Sequence, residues 1–206
     1  MNLEEHKVDL PEGESGDWAV SKYVISEQEQ RFQELRAMFN PHRPARIVPA
    51  GEYTRLTRNG TIIMSDTPNE IEDHLEAILN THDGGHALVG GLGLGLVAEA
   101  MLKRGAKVTV IELSKEVIEL VGSVMKERYG DQIEIINADV MEWKPPKGQT
   151  YDVVWMDIWD NINQDNLPQM ATLNRRYARK AKWKGCWQQE GCQGQRYRVK
   201  NKIGWY

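Results

Sequence analysis

The chain has 206 residues, of which 40% are hydrophobic and 27% charged, with a formal net charge of −4. This is the composition of a soluble globular protein with room for one domain and a small appendage, and no apolar run reaches the roughly 18 residues of a membrane span. The charge is uneven: residues 1–174 carry 16 Lys+Arg against 29 Asp+Glu (−13), while residues 175–206 carry 10 against Glu190 alone (+9).

Residues 1–25 read as irregular, and their acidic start lacks the apolar stretch of an export signal, which predicts a cytoplasmic protein. "SEQEQRFQELRAM" (26–38) predicts a helix with Phe32, Leu35 and Met38 on one face, broken by the prolines of "NPHRPAR". Asn59-Gly60 between "YTRLTR" and "TIIMS" predicts a β-hairpin. A helix then opens at Ser65 or Asp66, with Pro68 in its first turn and Ile71, Leu75, Ile78 and Leu79 as its apolar stripe. These readings divide the chain into an extension over 1–48, a hairpin and helix over 49–80, and a final domain over 81–206.

From residue 87 strands and helices alternate. "HALVGG", "AKVTVIEL", "QIEIINAD" and "YDVVWMDIW" are strands, separated by the helices "LGLVAEAMLKRG" and "SKEVIELVGSVMKERYG". "QDNLPQMATLNRRYARKAK" is mostly helix, and a shorter strand follows at "GCWQQ". The pattern predicts an α/β fold: a Rossmann-like parallel sheet with right-handed crossovers, preceded by an N-terminal β-hairpin extension.

The turn "VGGLGLGL" joins the first of these strands to the first of these helices. Gly91, Gly93 and Gly95 permit a sharp turn and close approach of a ligand. Leu96 stands where a dinucleotide fingerprint needs glycine, and Leu96-Val97 excludes a phosphate-cradling loop. Glu112, at the end of the second strand and about 20 residues on, is placed for ribose hydroxyls; Asp139, after the third, can reach an adenine amine. The fourth strand ends in Asp157 with Asp160 three residues later. A carboxylate closing so apolar a run needs a partner or a task. Trp159 can stack on a ligand or pack against a helix. His82 and His86 flank "DGG" and read as loop residues. Cys186 and Cys192 read as reduced thiols, and two cysteines without a nearby histidine pair make no zinc site. The C-terminal stretch interleaves basic and aromatic residues, a pattern compatible with nucleic-acid contact and equally with a solvated basic end.

"ALVGGLGLG", "VTVIELSKEVIEL", "IEIINADVMEW" and "YDVVWMDIWD" together resemble the class I S-adenosylmethionine-dependent methyltransferases, and within them the spermidine synthase-like branch, over roughly residues 50–190. The resemblance implies S-adenosylmethionine as cofactor, with Gly91, Gly93 and Gly95 at its methionine portion, Glu112 at the ribose, Asp139 and Val140 at the adenine, and Leu113 beside Glu112 among the cofactor-binding residues. Asp157 matches the base that prepares the acceptor, and Asp160, with Trp159, falls on the substrate side. It implies methyl transfer to a small-molecule acceptor, with aminopropyl transfer and a non-catalytic cofactor-binding module as alternatives. Three departures count against polyamine chemistry: Val89 stands where many of these enzymes carry an acid, no acid lies between Gly90 and Gly95, and the branch's tyrosine and glutamine ahead of the loop are His74 and Leu75. The sequence after the fifth strand has room for one short strand. The resemblance therefore implies a sheet lacking its last strands or one completed by a partner subunit in a homo-oligomer.

Overall fold

A computed structural model describes residues 3–39 and 46–194. Its centre is a five-stranded parallel sheet: β5 (His86–Gly90), β6 (Lys107–Glu112), β7 (Ile133–Asn137), β8 (Tyr151–Met156) and β9 (Ala181–Cys186). A four-stranded antiparallel sheet precedes it: β1 (Gly13–Ser15), β2 (Trp18–Ile25), β3 (Gly51–Arg58) and β4 (Thr61–Ser65). The parallel strands run in the order β7-β6-β5-β8-β9. The order reverses at β5, which is where open sheets of this Rossmann-like kind leave a crevice at the carboxyl ends of their strands.

Alternation along each central strand supplies two cores. Ala87 and Val89 of β5 and Val153 and Trp155 of β8 face one side, against Leu96 and Met101 of α3 (Leu96–Lys103) and Met125. Leu88, Val154 and Met156 face the other, against Met170, Leu173 and Tyr177 of α6 (Leu167–Tyr177). β5 and β8 are buried on both faces, which explains their near-continuous apolar runs. The crossover from β6 to β7 is α4 (Lys115–Val117) and α5 (Ser123–Tyr129), joined by a π-helical turn over Ile118–Gly122. Ser114 caps its start by accepting the Val117 N–H.

Several expectations need correction. Residues 3–25 are not irregular throughout. They hold a 3₁₀ turn (Leu3–His6), β1 and β2, and β2 pairs along its whole length with β3. The expected hairpin is therefore half of a sheet, its two strands joined by the left-handed Asn59 and Gly60. α1 (Glu27–Phe39) forms, closed by reciprocal bonds between Ser26 and Glu29. Its apolar face is not core, because Phe32, Leu35 and Met38 are all exposed. α2 (Pro68–Leu79) starts at Thr67 and buries Ile71, His74, Ala77 and Ile78, whereas Leu79 is exposed. The last helix stops at Tyr177, and β9 begins four residues before the "GCWQQ" position, since Ala181 and Trp183 must pair with Tyr151 and Val153. Residues 195–206, which include the end of the basic stretch and any strand after β9, lie outside the described residues. Among the described residues no helix is long and apolar enough to cross a membrane.

Candidate active site

One cleft of about 760 Å³ runs along the carboxyl ends of β7, β6, β5 and β8. Gly91, Gly93, Glu112, Leu113, Asp139, Val140, Asp157, Trp159 and Asp160 all line it. The structure thus brings together every site residue expected from the sequence except Gly95.

The glycine loop follows β5. Gly91 has φ +90, and a Cβ there would run into the carbonyl oxygen of Asp157; only glycine lets the loop pass so close to the end of β8. Gly93 has φ +52, and a Cβ there would meet the Met64 sulfur at 2.6 Å. Gly95 sits behind the loop at the start of α3, against Val121 and Met125, so its role is to turn the chain rather than to line the cleft.

Glu112 is nearly buried, and its two oxygens accept the N–H groups of Leu92 and Ser114, each at 2.7 Å. These bonds hold the carboxylate against the glycine loop and use two of its four lone-pair sites, leaving acceptor capacity for a diol. Beside it Leu113 is 70% exposed, a large apolar side chain at the cleft wall. Asp139 accepts the Met141 N–H at 2.7 Å, and its second oxygen has no hydrogen bond among the described residues. The wall it belongs to is fixed from behind: the Arg176 guanidinium donates to the carbonyls of Val140 and Trp143. Arg176, and Lys182 through its 2.6 Å ion pair with Asp152, thus give part of the basic stretch a structural task.

Asp157 closes β8 and marks the other end of the cleft. Its side chain is 18% exposed. Burial first, and then the nearby carboxylates of Glu70 and Asp73, push its pKa up to about 7. His74 stands opposite, its Nε2 3.7 Å from Asp157 Oδ2, too far for a hydrogen bond. Burial drives the imidazole down to about 4, so it is neutral at physiological pH. Glu70, one turn earlier on α2, accepts from the Ser65 N–H and hydroxyl, and burial raises its pKa as well. Trp159 lines the cleft with its ring held in place: it is buried and its indole N–H donates to Gln169 Oε1 at 2.7 Å. Asp160 is exposed and pairs with Arg58 across the mouth at 3.6 Å.

The antiparallel sheet forms the roof. Gly16, Asp17, Trp18, Arg58 and Met64 line the cleft from above. Its two turns are tied into one piece by the Asn59 N–H donating to the Asp17 carbonyl at 2.8 Å. The roof meets the body where Ser15 donates to Glu119 at 2.7 Å and at the Arg58–Asp160 pair. Among the described residues seven carboxylates line the cleft (Asp17, Glu70, Glu112, Glu116, Asp139, Asp157 and Asp160) against one cation, Arg58. That balance suits a positively charged ligand.

The sequence reading gave Glu70 no role, met His74 only as a departure from the resembled branch, and saw only the β3–β4 half of the roof. The spacing of Glu70 and His74, four apart on a helix, was a visible signal, since it sets both on one face. His82 and His86 lie away from the cleft, His86 between Thr109 and Gln149 and His82 near Asp152.

Residues 87–181 match the family described as "Methyltransferase domain". No protein of curated description matches the chain. Among solved structures the chain is similar to the CcbJ methyltransferase from Streptomyces caelestis (20% identity, TM-score 0.41, 50% of this chain and 43% of that one). It is also similar to the Trypanosoma brucei PRMT1 enzyme–prozyme complex with AdoHcy (20%, 0.35, 41% and 27%) and to the 23S rRNA methyltransferase ErmE (17%, 0.42, 53% and 42%). The chain spans less than half the length of each of these three.

Proposed function

We propose that this chain, whose residues 87–181 carry the methyltransferase-domain match, is an S-adenosylmethionine-dependent methyltransferase acting on a small-molecule acceptor. One observation carries the reading: Asp139, Glu112, Gly91 and Asp157 follow four strands that are neighbours in the sheet and line one cleft. At roughly 4.8 Å per strand the four ends span about 14 Å, and their order matches adenine, ribose, methionine and acceptor in turn.

The donor set fits this cofactor. Asp139 and the apolar Val140 and Leu113 would hold the adenine, Glu112 the ribose diol, and Gly91 with Gly93 would let the backbone touch the methionine portion. The acidic lining complements a sulfonium. When bound, the cofactor supplies an activated methyl group. Holding the acceptor in line with that methyl provides much of the rate in such a transfer. Asp157 is placed to accept the acceptor's proton, and a carboxyl poised near neutrality suits a general base at physiological pH. The roof and the acidic rim favour a small acceptor over a phosphate backbone.

Calorimetric titration with S-adenosylmethionine and S-adenosylhomocysteine tests the reading, with micromolar binding expected for both. Failure of folded protein to bind either more tightly than millimolar would remove it. Glu112→Ala should weaken both by about 10–100-fold, the loss of charge-assisted hydrogen bonds worth about 1.5–3 kcal/mol.

A further inference from the structure

We propose that His74 is the positioning residue of the acceptor end: its neutral imidazole donates from Nε2 to one oxygen of Asp157 in the loaded cleft, leaving the other oxygen to take the acceptor's proton. The inference rests on the methyl-transfer reading.

The geometry supports it at three points. His74 is 1% exposed, yet it lines the cleft instead of ending in apolar packing. Its ring stands edge-on to Trp155, with centroids 5.8 Å apart and planes at 90°. Trp155 lies two residues before Asp157 on the same strand, so one strand face orients both members of the pair. Third, His74 Nδ1 is buried without a hydrogen-bond partner among the described residues. Burying an unpaired nitrogen is costly. The orphan is best tolerated as a bare acceptor nitrogen, which puts the single ring proton on Nε2, facing Asp157.

The acidic neighbours of His74 on α2 are themselves fixed. Glu70 is bonded to Ser65, and Asp73 is bonded to Arg46 and to the Trp187 indole N–H. The charged and titratable groups around the pair are Glu70 and Asp73 on α2, Arg46 behind Asp73, and Asp160 with Arg58 across the mouth. The carboxylates favour the protonated form of Asp157, and a neutral donor from His74 opposes them by stabilising the charged form. The present 3.7 Å separation is open, and catalytic hydrogen bonds of this kind close only in the loaded site. In the reaction the acceptor's lone pair forms the bond to the methyl carbon while the sulfur–methyl bond breaks with its electron pair on sulfur. The acceptor's proton passes to the free oxygen of Asp157 and from there to water.

The test needs no acceptor. Nitrogen-15 NMR of the full chain, free and saturated with S-adenosylmethionine, reads the His74 tautomer. The proton is expected on Nε2, and a proton on Nδ1 overturns the proposal without any variant. Carbon-13 NMR then follows the Asp157 carboxyl, identified by its loss in Asp157→Asn. His74→Leu should raise the Asp157 midpoint by about one pH unit, and His74→Gln, which keeps a donor, should restore it. Equal midpoints in wild type and both variants would reduce His74 to packing. Calorimetry on the same samples keeps the two readings apart: loss of cofactor binding in the wild type defeats the proposed function, whereas the carboxyl midpoints judge His74.

Discussion

Asp157 and His74 are tuned in opposite directions by the same burial. Asp157 carries its proton up to about 7 in the native state, against 3.8 for a free aspartate. The native state therefore binds a proton that the unfolded chain releases, and stability falls as pH rises from 4 to 7. His74 loses its proton already near 4, against 6.5 for a free histidine, so stability rises with pH between 4 and 6.5. The two slopes cancel over pH 4–6.5. Asp157→Asn leaves the histidine slope alone. Its urea-unfolding free energy should match that of wild type near pH 4 and exceed it by about 2–4 kcal/mol at pH 8. It should also bind S-adenosylmethionine and lack turnover. A variant whose stability follows the wild-type pH curve would mean that Asp157 is not held protonated. The sequence announced Asp157, because a carboxylate ending a run of buried residues is conspicuous. It did not put His74 on the buried face, because an apolar stripe through Leu75 and Leu79 fitted helical spacing as well as the true face through Ile71, His74 and Ile78.

Among the elements, those from β5 onward were legible for a physical reason. Each strand buried on both faces reads as an apolar run, and each helix between carries a start or stop residue such as Ser114 or Gly105. β2 was missed because only Val20 of its eight residues is buried while Lys22 and Val24 are exposed, Val24 at 65%, and its partner β3 lies 26 residues further on. β9 was placed late because the basic run before it continues the helical composition of α6; its start is set by pairing with β8 and not by its own residues. The glycine loop shows why a motif and a packing requirement can share a position. Gly91 is needed by the fold whether or not a ligand enters, since its Cβ would strike the Asp157 carbonyl. Gly91→Ala should therefore destabilise the protein by about 2–4 kcal/mol through backbone strain and the displaced strand end, measured by denaturant unfolding. A fall in cofactor affinity at unchanged stability would instead make the glycine a ligand requirement alone.

The whole molecule is two sheets with a cleft between them, and residues distant in sequence close it. Ser15 reaches Glu119 and Arg58 reaches Asp160, so the roof assembles only when the N-terminal strands and the parallel sheet are both formed. Those long-range closures were invisible in the sequence, where the roof residues carry no motif. Under the proposed function, the roof–body contact bears on product release. Its ion pair is half-exposed on both partners, and pairs of that kind contribute about 0.2–1 kcal/mol, so the latch opens often and at little cost. Stopped-flow fluorescence should show S-adenosylhomocysteine leaving Arg58→Ala about 2–5-fold faster than wild type, the rate equivalent of that energy. An unchanged release rate would mean that the roof is fixed. If the cleft holds the proposed cofactor, a roof latched at Arg58–Asp160 makes the residence time of the spent cofactor a property of the N-terminal sheet. Substitutions there could speed or slow each cycle without touching an atom of the chemistry.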